Sequence, residues 1–240
     1  MSMVEVKCFS GSAVEEQEAL IACLDAEPSK AELWLWLYDQ PSIILGCSQR
    51  RQLETWQQAV IDKGYNVDVM ARRAGGGVVL AGTNMLSASL ILPHDKKDIG
   101  LVASFEWFGR AWQAALKAQG INSSLAVAED FADFKKQAAE YIDWICFAGL
   151  SHGELLDSEG KKLVGLAQIR KRHATAIVSG LITGQQNWDM IIDLYPGLTA
   201  SEGKLALAKL DNMVASSGLS LDKTTLAHDL VSTLNTEYLM

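Results

Sequence analysis

The sequence predicts an α+β, or mixed α/β, fold in which a mostly antiparallel sheet is flanked by helices. Segments of strand-like composition fall into two groups along the chain, and segments with helical periodicity lie between and after them. The chain contains only 4 prolines and no linker-like stretch. Both features favour a single domain over residues 1–240.

The first elements follow from apolar spacing and from the positions of prolines. Residues 13–26 (AVEEQEALIACLDA) carry apolar side chains at helical spacing, with acids in the first turn and Pro28 just beyond the end. The aromatic-rich LWLWLY at 33–38 indicates a strand. Pro41 ends this strand, and SIILG at 42–46 is predicted to return as its hairpin partner.

The remaining elements are predicted from the same two periodicities. An amphipathic helix at 101–119 has Phe105, Phe108, Trp112 and Leu116 on or near one face. The other predicted helices are 51–64, 203–215 and 221–236. The other predicted strands are 66–70, 77–81, 85–92, 144–147, 152–157, 161–169 and 174–183.

Composition and charge argue against several classes of function. The formal net charge is −8 and the pI is near 5.0, which argues against general nucleic-acid binding. The chain has no long apolar run and no signal peptide at its start, so no membrane span is predicted and a cytoplasmic location is expected. The 4 cysteines are scattered without a CxxC pair, so neither a metal site nor a disulfide framework is expected.

The segment RRAGGGVVLAG, residues 72–82, joins two arginines to three glycines at the entry to a strand. It lacks the lysine and hydroxyl of a P-loop, and it leads into a strand, which excludes a GxGxxG dinucleotide site. One interpretation is a glycine bulge in a hairpin. Alternatively, the glycines let a ligand approach the backbone while the arginines bind an anionic or carbonyl-rich group. The residues concerned are Arg72, Arg73, Gly75, Gly76 and Gly77.

A second segment, GKKLVGLAQIRKRH at 160–173, combines a lysine-containing strand with a basic turn. In a strand over 161–169, Lys162 and Gln168 would share one face and Gly165 would lie on the other. A hairpin with a solvated basic turn is one interpretation. The functional alternative places Lys162 near the glycine turn and uses the basic cluster to dock an acidic protein partner. This cluster consists of Arg170, Lys171 and Arg172.

Cys146 lies between aromatic residues in the segment WICFAG. A buried, inert cysteine is the usual interpretation of such a position. However, Cys146 precedes a loop and lies sixteen residues before Lys162. Two strands joined by a hairpin could bring these residues close together, and a nearby cation would favour the nucleophilic thiolate.

Three blocks of the chain resemble the lipoate–protein ligase and octanoyltransferase family, whose members are relatives of biotin protein ligase. The blocks are SIILGCSQR, RRAGGGVVLAGTNMLSASLIL and GKKLVGLAQIRKRHATAIVSGLI, and they cover most of residues 33 to 185 in the family's order and spacing. The resemblance implies a core like that of class II aminoacyl-tRNA synthetases and biotin–lipoate ligases. Because the sequence ends soon after these blocks, we expect one catalytic domain without the separate C-terminal accessory domain of long bacterial ligases.

The resemblance implies an enzyme that transfers a lipoyl or octanoyl group to a lysine of a lipoyl domain, found in 2-oxoacid dehydrogenases, or of a glycine-cleavage H protein. In this family the glycine-rich hairpin lines the acyl tunnel. A lysine matching Lys162 contacts the acyl carbonyl and stabilises charge as the acceptor lysine attacks. The substrate-binding residues implied are Arg72, Arg73, Gly75, Gly76, Gly77, Gly165 and Gln168.

Two mechanisms remain open within this family. In the transferases, a cysteine carries the acyl group as a thioester and no cofactor is needed; CFAGLSHGEL resembles their cysteine block, and Cys146 matches the nucleophile. In the ligases, ATP and magnesium activate free lipoate, and Cys146 would be only a core residue. A third alternative is a non-catalytic acyl-binding module that kept the fold, although such a module would not need Lys162.

The sequence departs from the family pattern at two places. Many members have a histidine–glycine pair where this chain has Ser179 and Gly180, and many ligases carry an acid where it has Leu80 and Ala81. The second departure weakens the ATP-using alternative. The sequence leaves open whether the acyl group is octanoyl or lipoyl, and whether its donor is acyl carrier protein, a lipoyl carrier or free lipoate. It also leaves open the acceptor protein and the oligomeric state.

Overall fold

The computed structural model describes residues 4–94, 100–215 and 223–238. Its strands are β1 (Glu5–Gly11), β2 (Glu32–Tyr38), β3 (Ser42–Leu45), β4 (Asp68–Ala71), β5 (Val79–Ala81), β6 (Met85–Pro93), β7 (Ser123–Leu125), β8 (Leu155–Asp157), β9 (Lys162–Arg170) and β10 (Ala174–Ile182). Its helices are α1 (Ala13–Asp25), α2 (Leu53–Lys63), α3 (Leu101–Ala118), α4 (Ala128–Ala138), α5 (Trp188–Leu194), α6 (Ala200–Met213) and α7 (Lys223–Tyr238). Short 3-10 helices occupy Cys47–Gln52 and Cys146–Ala148.

The strands form two sheets. The larger sheet has 7 strands in the order β1-β2-β6-β10-β9-β8-β7. Strands β1 and β2 are parallel, and the other neighbours are antiparallel. The smaller sheet has the order β4-β3-β5, with β3 parallel to β4 and antiparallel to β5. This architecture confirms the predicted mixed α/β class with a mostly antiparallel sheet.

The predicted hairpin between LWLWLY and SIILG is wrong, because the two strands belong to different sheets. Strand β2 lies between β1 and β6, so both of its edges are already paired. Its two faces are also buried, with Trp34 and Trp36 in one hydrophobic core and Leu33 and Leu35 in the other. The chain therefore has to leave this sheet at Pro41, and β3 starts the smaller sheet.

The strand predicted at 144–147 is also wrong. The chain makes an isolated parallel bridge there, between Val78 and Ile145, and then turns into the short helix Cys146–Ala148. The strand predicted at 152–157 begins only at Leu155. Four elements had no counterpart in the prediction: β1, β7, α4 and α5. Of these, β7 and α5 are short, with 3 and 7 residues.

The predicted helices with clear end signals are present. Helix α1 begins at a capping box in which Ser12 and Glu15 bond each other's backbone N–H groups, and α2 ends at Gly64 in the left-handed conformation. Helix α7 corresponds to the prediction at 221–236, whose first two residues lie outside the described part of the chain. Within that described part, no helix is long and apolar enough to span a bilayer.

The large sheet separates two hydrophobic cores. On one side, Phe108 and Trp112 of α3 pack with Leu90 and Ile177 of the sheet and with α7. On the other side lie α1, the smaller sheet and the Cys146 turn. Since the small sheet covers this second face, the space between the two sheets is where the candidate site forms.

Candidate active site

The glycine-rich loop between β4 and β5 is tied to the turn that carries Cys146. Val78 donates its N–H to the Trp144 carbonyl, and Cys146 donates its N–H to the Val78 carbonyl, both at 2.8 Å. A Cβ added to Gly77 would lie 2.3 Å from the Trp144 carbonyl oxygen, so glycine is needed for this close approach. The loop therefore fixes the position of the cysteine.

Arg72 turns inward from this loop, whereas Arg73 is exposed. The Arg72 guanidinium donates to the Gly77 carbonyl at 3.2 Å and lies 3.5 Å from the Cys146 sulfur. Gly76 has a φ of 96°, and a Cβ there would lie 2.7 Å from the guanidinium. Arg72 Nε is buried and has no hydrogen-bond partner among the described residues, so it can donate to a ligand.

Lys162 is a buried lysine with all its donors engaged. Its Nζ lies 2.7 Å from the Glu154 carboxylate and donates to the carbonyls of Cys146 and Gly149 at 3.1 and 2.8 Å. The other Glu154 oxygen accepts the Leu166 N–H at 2.9 Å. Buried charges require partners of this kind. These contacts hold the amine beside the backbone of the cysteine.

Lys162 lies close to Gly165, which differs from the predicted alternation of side chains between the two faces of β9. Leu155 pairs with Val164 but Leu156 pairs with Lys162, so β9 carries an extra residue at this point. This bulge turns the lysine side chain toward Gly165, where an added Cβ would lie 3.3 Å from Lys162 Cε. The prediction that the two residues lie on opposite faces of the strand is therefore wrong.

Two adjoining spaces share walls at Cys146, Leu166 and Ala167. On one side is a groove of about 750 Å³ that is lined by Lys162 and the glycine loop. On the other side, a narrow cavity of about 50 Å³ extends between the two sheets toward α1. A thiol thus lies at the junction of a wide groove and a narrow, mainly apolar cavity.

A pair of glycines opens the cavity wall in the large sheet. Gly165 of β9 lies directly opposite Gly180 of β10, and both residues line the cavity. A Cβ on Gly165 would lie 3.4 Å from Phe147 Cζ, and one on Gly180 would lie 3.2 Å from the Met85 sulfur. Because neither glycine has a side chain, the sheet face leaves room beside these two apolar residues. Gly180 therefore lines the cavity even though the residue before it is Ser179, in place of the histidine expected from the resemblance.

The inner end of the cavity carries a buried carboxyl group. Glu16 is 1% exposed, and it accepts hydrogen bonds from Ser87 at 2.6 Å, from Ser89 at 3.2 Å and from Tyr38. Burial raises the pKa of Glu16, while these three hydroxyl groups act in the opposite direction. Glu16, Tyr38 and Ser87 all line the cavity.

Replacing Glu16 by glutamine is expected to stabilise the fold increasingly as pH rises from 5 to 8. A carboxyl whose pKa is raised on folding stabilises the fold below its unfolded-state pKa, and this stabilisation is lost as pH rises through the folded-state pKa. Glutamine does not titrate and therefore avoids that loss. Urea unfolding of both proteins across this pH range measures the difference.

Glu15→Gln is a matched control with the opposite sign. Hydrogen bonds from the backbone and side chain of Ser12 lower the pKa of Glu15, so its carboxylate stabilises the fold at neutral pH and this effect fades as pH falls through the lowered pKa. Glu15→Gln should therefore lose stability at pH 7 relative to acid conditions. A Glu16→Gln protein that is less stable at pH 8 than at pH 5, relative to the unmodified protein, would contradict the assignment.

The structure brings most of the predicted site residues together. The groove is lined by Cys146, Gly75, Gly76, Gly77, Lys162 and Gln168. The cavity is lined by Arg72, Cys146 and Gly165. Arg73 lines neither space, and the basic cluster of Arg170, Lys171 and Arg172 lies at the other end of β9, where Lys171 pairs with Asp25 at 2.7 Å. The catalytic, binding and docking roles of these residues remain predictions.

The sequence analysis missed Glu154 as the partner of Lys162 and missed the polar residues at the inner end of the cavity. Glu16 was detectable, because it shares a helical face with Ala13, Leu20 and Leu24, which are all buried. A charged side chain on an apolar helix face indicates a buried polar site. Tyr38 carried no comparable signal within its aromatic-rich strand.

The model of one protein family, the lipoyl protein ligase A/B catalytic domain, matches residues 12–190. The chain belongs to this family. The matched range includes the glycine-rich loop, the Cys146 turn and β9, so the candidate site lies within the lipoyl protein ligase A/B catalytic domain. The predicted resemblance is thereby confirmed at the level of the family.

A curated relative of this lipoyl protein ligase A/B domain is lipoate–protein ligase 1 of Staphylococcus aureus. The two are 32% identical over 103 residues. This match covers 43% of the chain and 30% of the relative, so it spans less than a third of the relative's length.

Solved structures share the fold of the lipoyl protein ligase A/B domain. A bipartite lipoate protein ligase of Thermoplasma acidophilum, described with its E2 lipoyl domain, superposes with a TM-score of 0.68 at 16% identity, covering 100% of this chain and 84% of that one. A lipoate-protein ligase A bound with ATP gives 0.60 at 16% identity, covering 96% and 95%. At such identities, the similarity shows a common fold.

Proposed function

We propose that this chain attaches a lipoyl or octanoyl group to the ε-amine of a lysine on a lipoyl domain or glycine-cleavage H protein, through a thioester on Cys146. The observation that carries the proposal is the position of the Cys146 sulfur. It lies at the junction of the groove and the cavity and 3.5 Å from the Arg72 guanidinium. An acyl chain in the cavity would present its carbonyl carbon to this sulfur.

In the first step, the Cys146 sulfur attacks the carbonyl of an acyl thioester donor. A new carbon–sulfur bond forms, the donor's thiolate leaves, and the cysteine proton passes to it. In the second step, the acceptor lysine's neutral amine attacks the Cys146 thioester. An amide bond forms, the carbon–sulfur bond breaks, and the amine proton returns to the Cys146 sulfur.

Two cationic side chains would stabilise the negative charges that develop in these two steps. Lys162, 1% exposed at the edge of the groove, would exchange its hydrogen bond to the Cys146 carbonyl for one to the acyl carbonyl oxygen, and would stabilise the negative charge that develops there during each attack. Arg72 would stabilise charge on the sulfur as it leaves, since a guanidinium forms strong hydrogen bonds to anions. Its buried Nε, which lacks a partner among the described residues, is a further donor to the acyl group.

A second candidate is an ATP-dependent lipoate–protein ligase. The observation that favours it is the groove of about 750 Å³ beside the cavity, which is large enough for a nucleotide and exposes backbone at Gly75, Gly76 and Gly77. ATP would supply the activation of free lipoate, and Cys146 would only be a wall residue. A requirement for magnesium and a cytoplasmic location remain predictions.

Intact-protein mass spectrometry separates the two mechanisms. The protein is incubated with octanoyl- or lipoyl-loaded acyl carrier protein, without ATP, beside Cys146→Ser and the control Cys47→Ser, whose cysteine is exposed. The thioester proposal predicts a hydroxylamine-labile adduct on the unmodified protein and on Cys47→Ser, absent from Cys146→Ser. Lipoylation of a lipoyl domain that requires ATP and free lipoate, and survives Cys146→Ser, would instead establish the ligase.

A further inference from the structure

We propose that Gln17 makes the inner end of the cavity select an acyl tail that carries sulfur, such as a lipoyl group, over a plain alkyl tail of the octanoyl kind. Gln17 follows Glu16 on the buried face of α1 and is 8% exposed. It lines the cavity but not the groove. The inference rests on the proposed function, because it concerns the group that the enzyme attaches.

The direction of the cavity defines which part of the acyl group meets Gln17. The groove and cavity share Cys146, Leu166 and Ala167, so the reacting carbonyl belongs at that junction. The residues that line the cavity alone include Gln17 and Tyr38, which come from α1 and β2. A chain that enters from the junction therefore brings its distal end to α1.

The polar groups at this inner end differ in whether they have partners. Tyr38 and Ser87 both donate to Glu16, so these three side chains satisfy one another. By contrast, none of the residues that the structure describes forms a hydrogen bond with the Gln17 carboxamide. The carboxamide atoms are not among the fully enclosed polar atoms that lack a partner, so they keep accessible surface with which water or a bound ligand can form hydrogen bonds.

A plain alkyl tail and a sulfur-bearing tail differ in this respect. A terminal methyl group that covers the carboxamide of Gln17 would exclude water from it and offer no hydrogen bond in return. The sulfur atoms of a dithiolane ring are weak acceptors for the amide N–H, and the thiols of a reduced tail are weak donors to the amide oxygen. Either form of the sulfur-bearing tail therefore pairs a group that an alkyl tail leaves unpaired.

A competition experiment tests the inference. The protein receives equal amounts of lipoyl and octanoyl donors, as acyl carrier protein thioesters and separately as free acids with ATP and magnesium, and the products on a lipoyl domain are counted by mass spectrometry. We expect the unmodified protein to favour the lipoyl group by about tenfold, the scale set by one buried hydrogen-bonding group gaining a partner. Oxidised and reduced lipoyl donors in separate arms identify which form of the sulfur is recognised.

Gln17→Leu and the similarly sized Gln17→Met should bring the product ratio close to one while octanoyl attachment continues. Gln58→Leu, at an exposed glutamine of α2, should leave the ratio unchanged, and thermal unfolding confirms that each variant folds. Equal attachment of both groups by the unmodified protein, or an unchanged ratio in both Gln17 variants, would overturn the inference and leave the proposed function standing. Failure to attach either group would overturn the proposed function and this inference with it.

Discussion

Lys162→Ala is expected to slow acyl attachment by at least about a hundredfold, the loss typical when one preorganised donor is removed from the site of developing negative charge. The Lys162 amine is held by Glu154, by the Cys146 carbonyl and by the Gly149 carbonyl. Its position is therefore defined before substrate binds. Single-turnover transfer to a lipoyl domain, followed by mass spectrometry, measures the rate.

Two further variants make this result specific. Lys162→Ala leaves the buried Glu154 carboxylate without its cation, which can also destabilise the fold. Lys162→Arg keeps a charge for Glu154 but changes the position of the donors, so it should retain the fold and still lose most of the transfer rate. Lys161→Ala removes the neighbouring lysine, which pairs with the exposed Glu159, and should have little effect. Unaltered transfer by Lys162→Ala would eliminate the catalytic role.

Gly77→Ala is expected to lower the free energy of unfolding by about 3 kcal/mol, because it forces apart two segments and weakens buried hydrogen bonds. The new Cβ would lie 2.3 Å from the Trp144 carbonyl oxygen and 2.8 Å from the Cys146 nitrogen. Relief of this contact would break the hydrogen bonds through which Val78 holds the Cys146 turn. Acyl attachment should fall together with stability.

Gly75→Ala is the matched control within the same loop. A Cβ on Gly75 would meet nothing within 4 Å, so its effect on urea unfolding should be within about 0.5 kcal/mol, as for ordinary surface substitutions. If Gly77→Ala were as stable and as active as Gly75→Ala, the close contact between the glycine loop and the Cys146 turn would be disproved.

Local signals in the sequence predicted the long elements well. The capping residues of α1 and the glycine after α2 act through hydrogen bonds a few residues apart, so the sequence contains all the partners. The apolar periods of α3 and of β6, β9 and β10 were likewise sufficient. The family blocks that contain Arg72 and Lys162, together with the cysteine block CFAGLSHGEL, also predicted that Arg72, Cys146 and Lys162 belong to one site, and the structure brings these side chains to one region.

Pairing partners could not be predicted in the same way. The aromatic-rich β2 looked like half of a hairpin, yet β1 and β6 occupy both of its edges. The register of β9 changes at a bulge opposite Leu155 and Leu156, and a regular alternation places Lys162 on the wrong face. Both features depend on strands that lie far away in the chain. A local sequence pattern does not reveal which strand pairs with which edge, or in which register.

The sequence by itself determined the family, the existence of helices α1, α2, α3, α6 and α7, and the types of residue that carry the chemistry. Only the tertiary structure decided that Glu154 pairs with Lys162, that Gly165 and Gly180 open a cavity, and that Gln17 lies unpaired at its inner end. The physical reason is the distance along the chain between the residues that interact. Helix ends and strand propensities are settled by neighbours in the chain, whereas burial, cavities and unpaired polar groups are settled by which distant segments pack together.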